Sequence, residues 1–263
     1  MTKLFVTDMD HTLLDDESRV PENFKEILDD VKSQNKYLVL ASGRTLVSIK
    51  NKVPEYADEL CIISDNGAIV ERFGKIEYVD SLSDNDVVEI LDILRNVKET
   101  TVIAATAHDA FIELYDDSHI EALVEYYPNY TKIDDILTID DPILKITAFS
   151  KDYTVFNYEN TIYPKLGEKF NAVVAGKVWV DVMNKHTDKG HALKKLTEIL
   201  DVKSEDVAAF GDYNNDIGML TYAGKSYAVA NAHDDVKNVA NEVIGSNNEN
   251  SVLKTIEDLL QLK

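Results

Sequence analysis

Residues 4–14 read Leu4-Phe5-Val6-Thr7-Asp8-Met9-Asp10-His11-Thr12-Leu13-Leu14. A short apolar run that ends in two carboxylates one residue apart reads as a buried parallel strand opening an α/β domain. Ligands of open α/β sheets gather beyond the carboxyl ends of the strands, which puts Asp8 and Asp10 where one is expected. Carboxylates this close raise each other's pKa unless a cation lies between them. A hard divalent ion such as Mg2+ is the simplest such cation.

Outward from this strand, Pro21-Glu22-Asn23 opens a helix with Phe24, Ile27, Leu28 and Val31 at helical spacing, and Tyr37 to Ala41 completes a βαβ unit. Ser42-Gly43-Arg44-Thr45 leads into a second helix through Leu46, Val47 and Ile49, ending near Pro54. Strand, small polar turn and helix together point backbone N–H groups at an anion. A third strand, Leu60 to Ser64, runs into Asp65-Asn66-Gly67-Ala68-Ile69-Val70. Asn-Gly between apolar runs signals a hairpin, with a second turn at Phe73-Gly74-Lys75. These residues are expected to form a β flap leaving the main sheet.

From about Leu82 the texture changes to a mixture of helices and short strands. Ser83-Asp84-Asn85-Asp86 caps a helix, Val102 to Ala105, Ala110 to Tyr115 and Ile143 to Phe149 read as strands, and another helix follows Ser118. The segment is rich in tyrosine, with Tyr115, Tyr126, Tyr127, Tyr130, Tyr153, Tyr158 and Tyr163 expected mainly in its own core. A strand from Lys177 to Met183 closes it. Thr187-Asp188-Lys189-Gly190 then opens a helix carrying Ala192, Leu193, Leu196 and Leu200, and strands follow at Val207 to Phe210, Tyr227 to Ala230 and Val243-Ile244. Interruption and resumption of βα alternation imply an inserted domain. The expected architecture is a parallel-sheet α/β core, residues 1–81 and 187–263, with an α+β insert over 82–186.

The 263 residues carry 27 Lys plus Arg against 48 Asp plus Glu, a formal charge of −21, which disfavours nucleic acid and anionic membranes as partners. An anionic substrate then requires a local cationic patch or a metal. Cys61, the single cysteine, lies in an apolar run and reads as a buried, inert thiol; no intrachain disulfide is possible. With no signal-peptide pattern and no membrane-length apolar run, a cytoplasmic protein is expected.

Two later clusters carry chemistry. Lys189 places a cation in the first turn of a helix, where it opposes the macrodipole and where a bound phosphate would compensate it. Gly211-Asp212-Tyr213-Asn214-Asn215-Asp216 follows a buried strand and puts two more carboxylates at a sheet's carboxyl end. It is no EF-hand, since Ile217 stands where that loop needs Gly and Ala223 where it needs Glu. No histidine falls in a zinc pattern, and His186 and His191 are one residue too far apart for the helical pair.

In order, Asp8-x-Asp10-x-Thr12, Ser42, Lys189 and Gly211-Asp212-x-x-Asn215-Asp216 resemble the four motifs of the haloacid dehalogenase-like (HAD) hydrolases. The inserted segment resembles a C2-type cap, as in the Cof-type phosphatases, and Asn66-Gly67-Ala68 and Ala230-Asn231-Ala232 are similar to phrases of that subfamily. His11 departs from the pattern, standing where the family usually has Gly; His tolerates positive φ, so the turn is expected to survive.

The resemblance implies a Mg2+-dependent phosphatase acting on a small phosphorylated metabolite through an aspartyl-phosphate. Asp8 is the implied nucleophile and Asp10 the acid and base. Mg2+ would be held by Asp8, the Asp10 carbonyl and Asp212, with Asp216 orienting its waters. Ser42, Gly43, Lys189 and Asn215 would hold the phosphoryl oxygens. Arg44 either assists or lies on an exposed helix face. A phosphotransferase or phosphomutase using the same intermediate is the nearest alternative; a receiver-like module and a non-enzymatic metabolite-binding protein are the others.

Overall fold

The computed structural model describes residues 2–124, 127, 129–174 and 178–261. It contains fourteen strands among the described residues: β1 Leu4–Asp8, β2 Tyr37–Ala41, β3 Cys61–Ser64, β4 Ile69–Arg72, β5 Lys75–Val79, β6 Thr101–Ala105, β7 Ala110–Glu113, β8 Thr131–Lys132, β9 Lys145–Phe149, β10 Phe170–Val174, β11 Trp179–Asn184, β12 Val207–Gly211, β13 Lys225–Ala228 and β14 Glu242–Val243. The chain divides into two compact units, Met1–Tyr78 with Asp188–Lys263, and Val79–Thr187.

The first unit holds an eight-stranded sheet in the order β14-β13-β12-β1-β2-β3-β4-β5. From β14 to β3 neighbouring strands run parallel, and β4 pairs antiparallel with β3. β1 sits near the middle with all five residues buried, as expected of a strand covered on both faces. The Phe24–Ser33 helix buries Phe24, Ile27, Leu28 and Val31, the set its periodicity marked. Strand order reverses on either side of β1, so its carboxyl end lies at the switch point where α/β sheets bind ligands.

One expectation is corrected. Residues 69–79 do not leave the main sheet as a flap: β4 and β5 extend it as its antiparallel edge. The reversal at Asp65, Asn66 and Gly67 has φ of 50°, 54° and 105°, and this tight left-handed turn returns the chain beside β3, whose backbone groups β4 then satisfies.

The second unit is a six-stranded sheet in the order β10-β11-β9-β6-β7-β8. One face packs Val102, Ala104, Ile146, Ala148, Val180 and Val182 with Ile90, Leu91 and Leu94 of the helix Asp84–Leu94. Ile103, Phe149 and Trp179 point to the other side, where Tyr127 and Leu123 join them. Tyr127 is buried, but Tyr115 and Tyr163 are exposed, so the tyrosines are not uniformly core. Tyr126 and Lys177, named in the tyrosine set and the closing strand, lie outside the described residues. Cys61 is buried, and desolvation pushes its thiol up to about 12, as an inert cysteine requires. Among the described residues no helix is long and apolar enough to cross a membrane.

Candidate active site

Beyond β1 the chain makes one wide turn over Met9–Leu13, closed by the Leu14 N–H donating to the Met9 carbonyl at 2.8 Å. His11 takes φ 57° within it, the left-handed conformation that a residue in this turn must adopt. Its side chain is exposed and lies 3.8 Å from Asp16, while its carbonyl accepts from Asn231 Nδ2 at 2.7 Å. The turn carries Thr12 back to β12's end, where its hydroxyl donates to Asp212 Oδ1 at 3.0 Å.

Lys189 is the first residue of the Lys189–Leu200 helix, whose N-cap Asp188 accepts from the His191 N–H at 2.7 Å. Its ammonium is wholly buried and donates to Asp8 Oδ1 at 2.5 Å and to Asp216 Oδ1 at 2.6 Å. Residues 181 and 27 positions apart thus share one cation. Asp216 Oδ2 accepts from the backbone N–H groups of Asp212 and Tyr213 at 3.0 and 3.1 Å, so both its oxygens are held by the protein.

Carboxylate oxygens of Asp8, Asp212 and Asp216 all lie within 4.8 Å of one another. One ammonium faces three carboxylates, and the imbalance appears in their proton affinities. Burial, with repulsion from Asp216 and Asp212, holds the Asp8 carboxyl well above the usual range although Lys189 pulls it down. Burial and Asp216 push Asp212 to about 6, against the Thr12 hydrogen bond. Burial disfavours the Lys189 charge, but Asp216 and Asp8 outweigh it and keep the ammonium above the ordinary lysine range. A site of oxygen donors with surplus negative charge fits a hard divalent cation such as Mg2+.

Asp10 stands apart from this cluster. Its carboxylate accepts from Arg44 Nε and Nη2, each at 2.7 Å, in a two-pronged ion pair. Arg44 is therefore not on an exposed helix face; it lies in the turn ahead of the helix Leu46–Lys52, whose cap is Thr45. Ser42 is buried at the end of β2 and its Oγ accepts from the Arg44 N–H at 3.1 Å. Asn215 donates from Nδ2 to Asn66 Oδ1 at 3.0 Å.

Asp8, Lys189, Asp212 and Asp216 are thus brought together directly, Thr12 joins them through Asp212, and Ser42 and Asp10 are linked through Arg44. The contributions of Arg44 to Asp10, of Asn66 to Asn215 and of Asn231 to the His11 turn were not read from sequence. Arg44 had a signal, a cation beside the small turn of a strongly acidic chain; Asn66 was masked by the ordinary hairpin meaning of Asn-Gly.

A family model for haloacid dehalogenase-like hydrolases matches residues 5–256. The chain is 28% identical over 261 residues to the 5-amino-6-(5-phospho-D-ribitylamino)uracil phosphatase YbjI of Escherichia coli (strain K12), covering 98% of this chain and 96% of that protein. YitU of Bacillus subtilis (strain 168), which bears the same phosphatase name, is 25% identical, with 98% of each chain covered. A crystal structure of a protein from Eubacterium rectale matches with a TM-score of 0.90 and 29% identity over 98% of this chain and 99% of that one.

Proposed function

The chain belongs to the haloacid dehalogenase-like hydrolases, a phosphoric monoester hydrolase by kinship, and on that premise we propose that it removes phosphate from small phosphorylated metabolites through an aspartyl-phosphate on Asp8. The observation that carries this reading is the buried Lys189 bridging Asp8 and Asp216 beside Asp212. Lys189 occupies Asp8 Oδ1, and among the described residues no donor holds Oδ2, the oxygen we assign to attack on phosphorus.

A carboxylate nucleophile divides one difficult displacement into two easier ones: Oδ2 bonds to phosphorus as the bond to the leaving alcohol breaks, and water then cleaves the acyl phosphate. Asp10 protonates the departing alcohol and later takes the proton of the attacking water. Arg44, holding both Asp10 oxygens, orients that carboxylate and must yield one of them for proton transfer. Ser42, the Gly43 N–H, Lys189 and Asn215 hold the phosphoryl oxygens, because phosphoryl transfer depends on positioning and charge compensation. Mg2+ bound by Asp8, the Asp10 carbonyl and Asp212, with Asp216 ordering its waters, would offset the repulsion between phosphate and nucleophile.

The insert over 82–186 is assigned the role of selecting the substrate. The names of YbjI and YitU make a phosphorylated ribityl compound the first candidate, beside sugar phosphates, pyridoxal phosphate and flavin mononucleotide. The test is a panel of these compounds with Mg2+, run on wild type and Asp8→Asn. Turnover by wild type alone supports the reading; near wild-type turnover by Asp8→Asn refutes it. Product partition between inorganic phosphate and an added sugar acceptor separates hydrolysis from phosphotransfer.

A further inference from the structure

Asn66 is used by no step above, yet its side chain is buried among residues that are. It is 8% exposed, and its carboxamide oxygen is committed to Asn215 Nδ2 at 3.0 Å. Among the described residues no acceptor takes a proton from Asn66 Nδ2. The nitrogen is not sealed from solvent, so an acceptor from outside the protein can reach it.

Its surroundings name what that is. The Asn66 backbone N–H donates to the Ser42 carbonyl at 3.1 Å, tying its turn to the Ser42-Gly43 turn. A Cβ on Gly43 would stand 3.0 Å from Asn66 Oδ1 and 3.2 Å from Nδ2, so the carboxamide lies against the bare α-carbon of that glycine. The next residue, Gly67, backs onto the Asp188 carbonyl at the start of the helix that carries Lys189; a Cβ there would fall 2.3 Å from that oxygen. Asn66 therefore sits among Ser42, Gly43 and Asn215 with its donor end uncommitted. At φ 54° it holds a conformation that Asn tolerates better than most residues, and its amide supplies donors without a further acidic charge.

We propose that Asn66 is a further phosphoryl-binding residue: its Nδ2 donates to a phosphoryl oxygen, while its Oδ1 fixes Asn215 so that the second N–H of Asn215 faces the same group. The two carboxamides then act as one unit whose free N–H groups face the anion, and the site selects the tetrahedral phosphoryl anion over an ester that lacks it. This rests on the phosphatase reading above, with Asn215 as a phosphate ligand.

The experiment measures inorganic phosphate binding by calorimetry with Mg2+ present, alongside kcat and KM. Asn66→Gly keeps the left-handed backbone and deletes the amide; Asn66→Asp keeps the oxygen that accepts from Asn215 and removes the donor. Both are expected to bind phosphate roughly tenfold or more weakly, the scale of one hydrogen bond to a charged group, with melting temperature little changed in the aspartate variant. In an Asn215→Ala background, Asn66→Gly should weaken binding further. If the double variant binds as Asn215→Ala alone does, Asn66 is only a prop for Asn215 and the direct role is overturned. Unchanged phosphate affinity in both Asn66 variants overturns it too. Failure of the underlying reading shows elsewhere, as undiminished turnover by Asp8→Asn.

Discussion

Replacing Lys189 with Met tests the electrostatic argument directly. Methionine keeps a flexible apolar stem of similar length and removes only the ammonium, which is wholly buried and lies 2.5 Å from Asp8 and 2.6 Å from Asp216. Oxygens of Asp8, Asp212 and Asp216 within 4.8 Å of one another then face each other uncompensated, each ionised pair repelling by about 3–4 kcal/mol at an effective dielectric near 20. The carboxyls escape part of this by taking up protons, so the expected cost at neutral pH is about 3–5 kcal/mol, the usual result of deleting one partner of a buried ion pair. For a unit of this size that corresponds to a fall in Tm of about 6–20 °C.

The sign with pH follows from the carboxyls. A carboxyl whose folded pKa is raised binds more protons folded than unfolded, so it costs stability as pH rises from the unfolded value towards the folded one. Asp8 is raised and Asp212 stands at about 6 even with Lys189 present; without it both rise further. The deficit of Lys189→Met relative to wild type should therefore be smallest near pH 4 and grow through neutrality. Thermal unfolding followed by circular dichroism in EDTA, across that range, measures it. A variant melting within about 2 °C of wild type at neutral pH, or a deficit that does not grow with pH, would show that Lys189 is not the charge that holds these carboxylates together.

Three further outcomes are expected. In wild type, Mg2+ should raise the melting temperature more at pH 8 than at pH 5, because it competes with the proton held by Asp212 up to about 6; EDTA should reverse the gain. Thr12→Val removes the 3.0 Å hydrogen bond that lowers the Asp212 carboxyl, so its titration should move further up and calorimetric Mg2+ affinity at neutral pH should fall about tenfold. Gly67→Ala at φ 105° forces an L side chain into a left-handed turn and a Cβ to within 2.3 Å of the Asp188 carbonyl; urea unfolding should show a loss of at least about 1–3 kcal/mol, with kcat reduced as the Lys189 helix is displaced.

The elements and the principal residues of the candidate site are legible in the chain itself. Leu4–Asp8 is a strand because a short apolar run with buried neighbours on both faces has no other stable use; Asp8 ends that strand, Lys189 begins a helix, Asp212 follows β12 and Asp216 caps the helix Ile217–Tyr222, positions that periodicity and caps disclose locally. What local pattern could not decide is which side chains meet. Asn-Gly at 66–67 has the same sequence signature in a free flap as in the turn that keeps β4 on the sheet edge, because the choice depends on β3's unsatisfied backbone groups. Arg44 reads equally well as a solvated helix cation, and only the approach of β1 and β2 at their carboxyl ends brings it onto Asp10. The surplus of buried negative charge is likewise a tertiary property: carboxylates from distant segments repel only once the fold has brought them within a few ångströms, and it is that enforced crowding which turns scattered motifs into one charged cluster.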